Sequence, residues 1–138
     1  GSGPSMWLAA RSPRIRGLVL QSGLVSGLRV LAPAPMCSFA GCCGPPCVFA
    51  LCDVFPNHKR MGQVRCPVLI MHGEQDEVID ASHSRELHRL CPPEFRREPY
   101  FVSDAGHNDL AQQDIDTYFR VARQFLASLK CDEKMREK

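Results

Sequence analysis

The chain has 138 residues, 44% of them hydrophobic and 23% charged, and 17 basic against 15 acidic side chains leave a formal charge of +2. These are the proportions of an ordinary globular domain. No apolar run is long enough to cross a bilayer and no basic stripe is present to select a phosphate backbone, which argues against disorder, membrane spanning and nucleic-acid binding. There is no initiating methionine and no secretory leader pattern, so the chain is expected to begin inside a longer protein.

In chain order, Pro4 to Arg11 predicts a short helix with proline in its first turn, where the missing N–H costs nothing. Ile15 to Gln21, bounded by Pro13 and Gly23, reads as a buried strand, and Ser22 to Arg29 as a turn-rich connection. The stretch 31–56 holds five of the eleven prolines and five of the eight cysteines (Cys37, Cys42, Cys43, Cys47 and Cys52), and reads as a surface insertion with reduced thiols. Those cysteines lack zinc-ligand spacing, so neither a metal nor a cofactor is expected. A disulfide cluster would need an oxidising compartment, and reversible acylation would need a nearby membrane.

Cys66 to Met71 is a continuous apolar run with proline near its start, the pattern of a strand covered on both faces in a parallel sheet. Asp80 or Ser82 can cap a helix through Glu86, Leu87 and Leu90 that stops at Pro92-Pro93. Tyr100 to Val102 predicts a third strand. Asp114 can cap a final helix in which Ile115, Tyr118, Phe119, Ala122, Phe125, Leu126 and Leu129 form one apolar stripe, and the tail from Cys131 to Lys138 is expected to fray. Strands alternating with helices give an α/β fold with parallel strands and flanking helices.

Two segments, His72 to Ile79 (HGEQDEVI) and Asp104 to Asp109 (DAGHND), each follow an apolar strand, which places Asp76 and His107 at the carboxyl ends of strands, where open parallel sheets carry their functional loops. An aspartate followed along the chain by a histidine in that setting is the acid–base pair of a hydrolase triad, whose nucleophile stands upstream of both. Asp76 could instead cap the following helix, although Asp80 is better placed for that. His107 could be a solvated loop residue, although Gly106 offers a tight turn to aim the ring. Of the other histidines, His72 reads as a loop residue at a strand end, and His58, His83 and His88 as surface residues.

The whole chain resembles the carboxyl-terminal part of α/β-hydrolases of the alpha/beta hydrolase domain-containing protein 17 type. The likeness is carried by Leu8-Ala9-Ala10-Arg11, by Gly17 to Val30 (GLVLQSGLVSGLRV), by Phe55-Pro56-Asn57, by Cys66 to Met71 with the Asp76 loop, and by Ala105 to Asp109. It implies one partial α/β-hydrolase domain over 1–138 with a Cys/Pro-rich insertion at about 31–56, the amino-terminal half of the sheet lying outside the chain. It implies Asp76 as the triad acid and His107 as the triad histidine. Gly1 takes the place of the last glycine of the Gly-x-Ser-x-Gly elbow, so the nucleophile would precede it; Ser2 and Ser5 lack the flanking glycines of an elbow.

The activity implied is serine-hydrolase cleavage of acyl thioesters or esters, including removal of palmitoyl groups from proteins, by an intracellular protein held at the membrane periphery. The chain by itself would then be inactive. A general esterase, a serine peptidase and a non-catalytic hydrolase-like interaction module are the alternatives. If the strand at Ile15 to Gln21 normally pairs with a strand outside the chain, its open edge is expected to drive self-association.

Overall fold

The structure, a computed structural model, describes residues 1–31, 53 and 55–136, with the backbone alone at Leu28, Leu31 and 131–136. The elements are α1 (Ser2–Ala9), β1 (Leu18–Gln21), α2 (Gly27–Leu31), α3 (Asn57–Met61), β2 (Val68–Gly73), α4 (Ala81–Leu90), β3 (Tyr100–Val102), α5 (Leu110–Gln113) and α6 (Ile115–Arg136). The three strands lie side by side in the order β1-β2-β3, all parallel. Leu18 pairs with Val68 and Leu20 with Ile70 on one side of β2, and Met71 pairs with Tyr100 on the other. The Cys/Pro-rich insertion expected at about 31–56 lies largely outside the described residues, Cys37, Cys42, Cys43, Cys47 and Cys52 with it.

β2 is buried along its whole length, as its unbroken apolar run requires. Its side chains alternate between two apolar clusters. Val68 and Ile70 join Leu18 and Leu20 of β1 on the face covered by Met6 of α1, Met61 of α3 and Leu87 of α4. Leu69 and Met71 face the other way, against Leu110 of α5 and Phe125 of α6. β1 alternates as well, with Leu18 and Leu20 buried and Val19 44% exposed, because α6 covers β2 more fully than β1. The outer edge of β1 meets no further strand among the described residues.

Several element boundaries differ from the sequence reading. β1 starts at Leu18 rather than Ile15, and β2 runs from Val68 to Gly73 rather than from Cys66 to Met71, so His72 belongs to the strand and not to the loop after it. α6 continues through Arg136, so the tail expected to fray from Cys131 is helical that far. Its packed face is narrower than the apolar stripe: Tyr118, Val121, Phe125 and Leu129 lie against the second cluster, whereas Ile115, Phe119 and Leu126 are exposed. A stripe two residues wide needs a broader sheet beneath it than three short strands provide. The two helix caps behave as anticipated: Asp80 accepts from the Ser82 N–H at 2.8 Å and Asp114 from the Thr117 N–H at 2.9 Å.

The connection after β1 is pinned from two sides. Asn57 Nδ2 donates to the Leu24 carbonyl at 2.9 Å, the His58 N–H donates to the Val25 carbonyl at 3.0 Å, and the Val25 N–H donates to His83 Nδ1 at 3.2 Å. His83, read as a surface residue, is thus half-buried and acts as an acceptor in its neutral form; burial pushes its pKa down.

The tip of β2 and the loop after β3 approach so closely that only glycine fits at position 73. A Cβ on Gly73 would lie 2.2 Å from the Ala105 carbonyl oxygen and 2.6 Å from that of Gly106. The Gln75 N–H donates to Ala105 O at 2.9 Å and the Glu74 N–H to Val102 O at 2.8 Å, locking the two loops together.

Three substitutions test this packing. Gly73→Ala must push the β3 loop away from the β2 tip and should destabilise the chain by about 2 kcal/mol or more, since backbone atoms cannot yield as a flexible side chain can. Leu87→Ala, at a fully buried position, should cost roughly 2–5 kcal/mol, whereas Leu126→Ala should change stability by less than about 0.5 kcal/mol. Urea unfolding of the three variants checks both statements, and equal losses at Leu87 and Leu126 would contradict the burial of one and the exposure of the other.

Candidate active site

Asp76 sits three residues past the end of β2, in a turn closed by its own N–H donating to Gly73 O at 3.2 Å. Its side chain, fully buried, folds back over the following backbone: Oδ1 accepts from the Val78 N–H at 2.9 Å and the Ile79 N–H at 2.8 Å. That leaves Oδ2 aimed at the loop after β3. His107 is positioned there by a second turn, in which the Gly106 N–H donates to Asp109 Oδ1 at 2.6 Å while Gln113 Nε2 of α5 donates to Asp109 Oδ2 at 2.8 Å. Asp109, part of the motif but with no role assigned from the sequence, is therefore the brace of the histidine loop. Its neighbours' hydrogen bonds, Gln113 foremost and then the Gly106 N–H, hold its pKa below the ordinary carboxylate value.

The two loops bring His107 Nδ1 to 2.8 Å from Asp76 Oδ2, although 31 residues separate them in sequence. Nδ1–H donates and the carboxylate accepts, which fixes the tautomer and leaves Nε2 bare. No hydrogen bond to Nε2 is present among the described residues, and the His107 side chain is 30% exposed. An imidazole held in this way can accept a proton at Nε2 from an approaching hydroxyl, and the adjacent carboxylate stabilises the imidazolium that results.

Burial by itself would raise the pKa of Asp76, but the hydrogen bonds outweigh it. The Ile79 N–H, the His107 ring, the Val78 N–H and the Ser22 hydroxyl together hold its pKa below the ordinary carboxylate value. Ser22 stands at the carboxyl end of β1, tied to the tip of β2 by its N–H donating to Met71 O at 3.0 Å. It has a left-handed backbone, φ 47°, which is unusual for a residue with a Cβ, and its buried hydroxyl has no hydrogen-bond partner of ordinary geometry. The sequence reading placed Ser22 in a turn and gave it no role; a polar residue directly after a buried strand is the only signal that could have marked it.

His72 is the other residue the sequence reading misjudged. It occupies β2 opposite Phe101 of β3 and is completely buried. Its ring lies beside α4, with Nδ1 2.6 Å from Ser84 Oγ, while Nε2 is 2.8 Å from the Ile79 carbonyl oxygen and 3.2 Å from Asp76 Oδ2. The alternation of β2 could have revealed this, because position 72 shares a face with Val68 and Ile70. His88, read as a surface residue, is half-buried and has Nε2 3.1 Å from the Arg97 carbonyl oxygen; neither it nor His58 is part of this cluster. Among the described residues no group of three or more His, Cys, Asp or Glu side chains is arranged so that it could hold a metal ion.

Because the Asp76 pKa is lower in the folded chain than in the unfolded one, its carboxylate contributes stability that is complete above the unfolded value of about 3.9 and is lost as the pH falls through the folded value. The difference in unfolding free energy between the chain and Asp76→Asn should therefore be steady, at roughly 1–3 kcal/mol, from pH 5 to 7 and shrink below pH 4. Urea titrations of both proteins across that range decide it, and a difference that grows on acidification would contradict the lowered pKa.

Known proteins carry the same sequence pattern and the same fold. No family model matches the chain. The alpha/beta hydrolase domain-containing protein aho-3 of Caenorhabditis elegans is 39% identical over 110 residues, which are 80% of this chain and 29% of that protein. The domain-containing protein 17B of Xenopus laevis is 36% identical over 127 residues, 92% of this chain and 38% of that protein, and human 17C is 36% identical over 110 residues, 80% of this chain and 29% of that protein. Among solved structures, acetyl xylan esterase 1 from Thermoanaerobacterium superposes with a TM-score of 0.67 over 94% of this chain and 43% of its own, at 20% identity. The meta-cleavage product hydrolase of Pseudomonas fluorescens does so at 0.65 over 93% of this chain and 62% of its own, at 18% identity. The structural likenesses establish the fold, with the small parallel sheet and its helices matching a carboxyl-terminal part of an α/β-hydrolase. The chain spans about a third of the length of the curated relatives it matches, and over that span it belongs to the alpha/beta hydrolase domain-containing protein 17 family.

Proposed function

We propose that this chain supplies the acid and the base of a serine hydrolase that cleaves acyl thioesters or esters, palmitoylated proteins among them. The 2.8 Å contact between His107 Nδ1 and Asp76 Oδ2 is the observation that carries the reading. In this scheme the nucleophilic serine lies outside the 138 residues and meets His107 Nε2 across the open edge of β1. His107 takes the serine proton as the oxygen attacks the acyl carbon, and Asp76 stabilises the imidazolium. The imidazolium then protonates the departing thiolate or alkoxide. Water, deprotonated in turn by His107, releases the acid from the acyl-enzyme.

The same edge gives the proposal a physical consequence for the isolated chain. Among the described residues the outer edge of β1 pairs with no strand, and an edge left open in this way favours self-association of the chain alone.

The test is to express the chain together with the coding sequence upstream of Gly1 and treat it with a fluorophosphonate probe. The longer protein should label and hydrolyse acyl thioesters faster than peptide amides, and the 138-residue chain should do neither. Asp76→Asn in the longer protein should slow turnover by roughly 10⁴-fold and His107→Gln by at least as much. A longer protein that folds but never labels would identify a non-catalytic module, and one that prefers peptide amides would identify a peptidase.

A further inference from the structure

We propose that His72 is a positioning residue for the acid–base pair: its Nε2 donates to the Ile79 carbonyl and lies 3.2 Å from Asp76 Oδ2, and so it steadies the oxygen that receives His107. The proposal deepens the hydrolase reading and rests on it for its catalytic meaning, but its geometric content stands by itself.

The surroundings of the ring decide where its proton sits. Nε2 faces two oxygens that can only accept, a carbonyl at 2.8 Å and a carboxylate at 3.2 Å, so Nε2 must carry a proton. Nδ1 faces the Ser84 hydroxyl at 2.6 Å, a group that can accept as well as donate and that donates to the Gly23 carbonyl at 3.5 Å. With a proton on Nε2 the ring serves the Ile79 carbonyl, and Ser84 Oγ is the partner of Nδ1. The opposite tautomer would set a bare Nε2 against two acceptors in a site with no access to solvent.

The two oxygens of Asp76 are held unequally. Oδ1 is bound by two backbone N–H groups, which allow the carboxylate to pivot about that atom. Oδ2 is the atom that must stay in place for His107, and His72 Nε2 lies 3.2 Å from it. His72 is on a strand buried on both faces and its partner Ser84 is itself fully buried on α4, so this contact links the carboxylate to the interior rather than to its own loop. A hydrogen bond donated to a metal-bound or catalytic group by an outer residue has the same orienting effect elsewhere.

The experiment uses the 138-residue chain and proton and nitrogen NMR of its histidines. In the unsubstituted chain His72 should show the Nε2–H tautomer, and the His107 Nδ1 proton should give a downfield, slowly exchanging signal. His72→Phe, which keeps an aromatic ring and removes the donor, should speed exchange of that proton by roughly tenfold, the middle of the range for coupled members of one hydrogen-bond network. His72→Gln, whose amide can reach a similar position, should restore most of the protection. A purely structural role for His72 would alter overall stability in both variants without separating them at the His107 proton, and that result would overturn the proposal. If His72→Phe does not fold, Ser84→Ala replaces it, with a smaller acceleration expected, and unchanged exchange there would be equally decisive against. Finding His72 Nε2 without a proton in the unsubstituted chain would overturn it without any variant. Failure of the longer protein to label with the fluorophosphonate, with these NMR results intact, would sink the hydrolase reading and leave the positioning role standing.

Discussion

A backbone contact between two loops governs this molecule: the tip of β2 at Gly73 lies against the carbonyls of Ala105 and Gly106, closer than any side chain would permit. Gln75 donates to Ala105 across the same gap, so the loop carrying Asp76 and the loop carrying His107 form one hydrogen-bonded unit. Each loop is also closed on itself, by Asp76 over Val78 and Ile79 and by Asp109 over Gly106. The side-chain pairing of Asp76 with His107 is therefore the outcome of backbone geometry already fixed by the strands. This is the order of causes expected for a preorganised site, in which the scaffold and not the interaction itself bears the entropy of alignment.

The strands in turn owe their placement to the composition of β2. Six consecutive buried residues cannot lie at a sheet surface, so the strand must be central and covered on both sides, with β1 and β3 as its neighbours. Its parallel pairing on both edges sends every carboxyl end to the same side of the sheet, which is why Ser22, Asp76 and His107, from three separate loops, come together there. α4 completes the arrangement from behind: Leu87 fills the core, Ser84 meets His72, and His83 meets the backbone of Val25. One helix thereby ties the hydrophobic interior, the interior polar pair and the connection after β1 to the same rigid body.

The features that follow from local rules were legible in the sequence. The apolar run at Cys66 to Met71, the proline stop at Pro92-Pro93 and the caps at Asp80 and Asp114 act within a few residues, and each appears within a residue or two of its expected place. The two loops of the site were also legible, because each directly follows a strand. The width of the packed face of α6 was not, since periodicity shows that Ile115, Phe119 and Leu126 share an apolar side but cannot show how much sheet lies beneath them. His72 was missed for a different reason. Ending the strand at Met71 made the next residue a loop residue, and a single-residue error in a strand end converts an interior side chain into an apparent surface one.

The polar groups buried around Asp76 show what kind of core this is. An interior carboxylate with only two backbone donors would be under pressure to protonate, and the additional donors from His107 and the neighbouring Ser22 hydroxyl shift the balance toward the charged form. Ser22 adopts a left-handed backbone to reach this position, a conformation that costs of order 1–3 kcal/mol and persists only when its surroundings demand it. Its hydroxyl is nonetheless buried without a well-formed partner. Backbone strain and a hydroxyl short of ordinary hydrogen-bond geometry at the same residue, beside a carboxylate held in its charged form, are costs to stability. They concentrate at the one end of the sheet where three loops converge, and the neighbouring interior, built from Leu20, Ile70 and Leu87, is apolar and closely packed. That division places the stabilising burial in the middle of the sheet and the costly polar geometry at its carboxyl ends, where a charge can develop on His107 beside a counter-charge that is already in place.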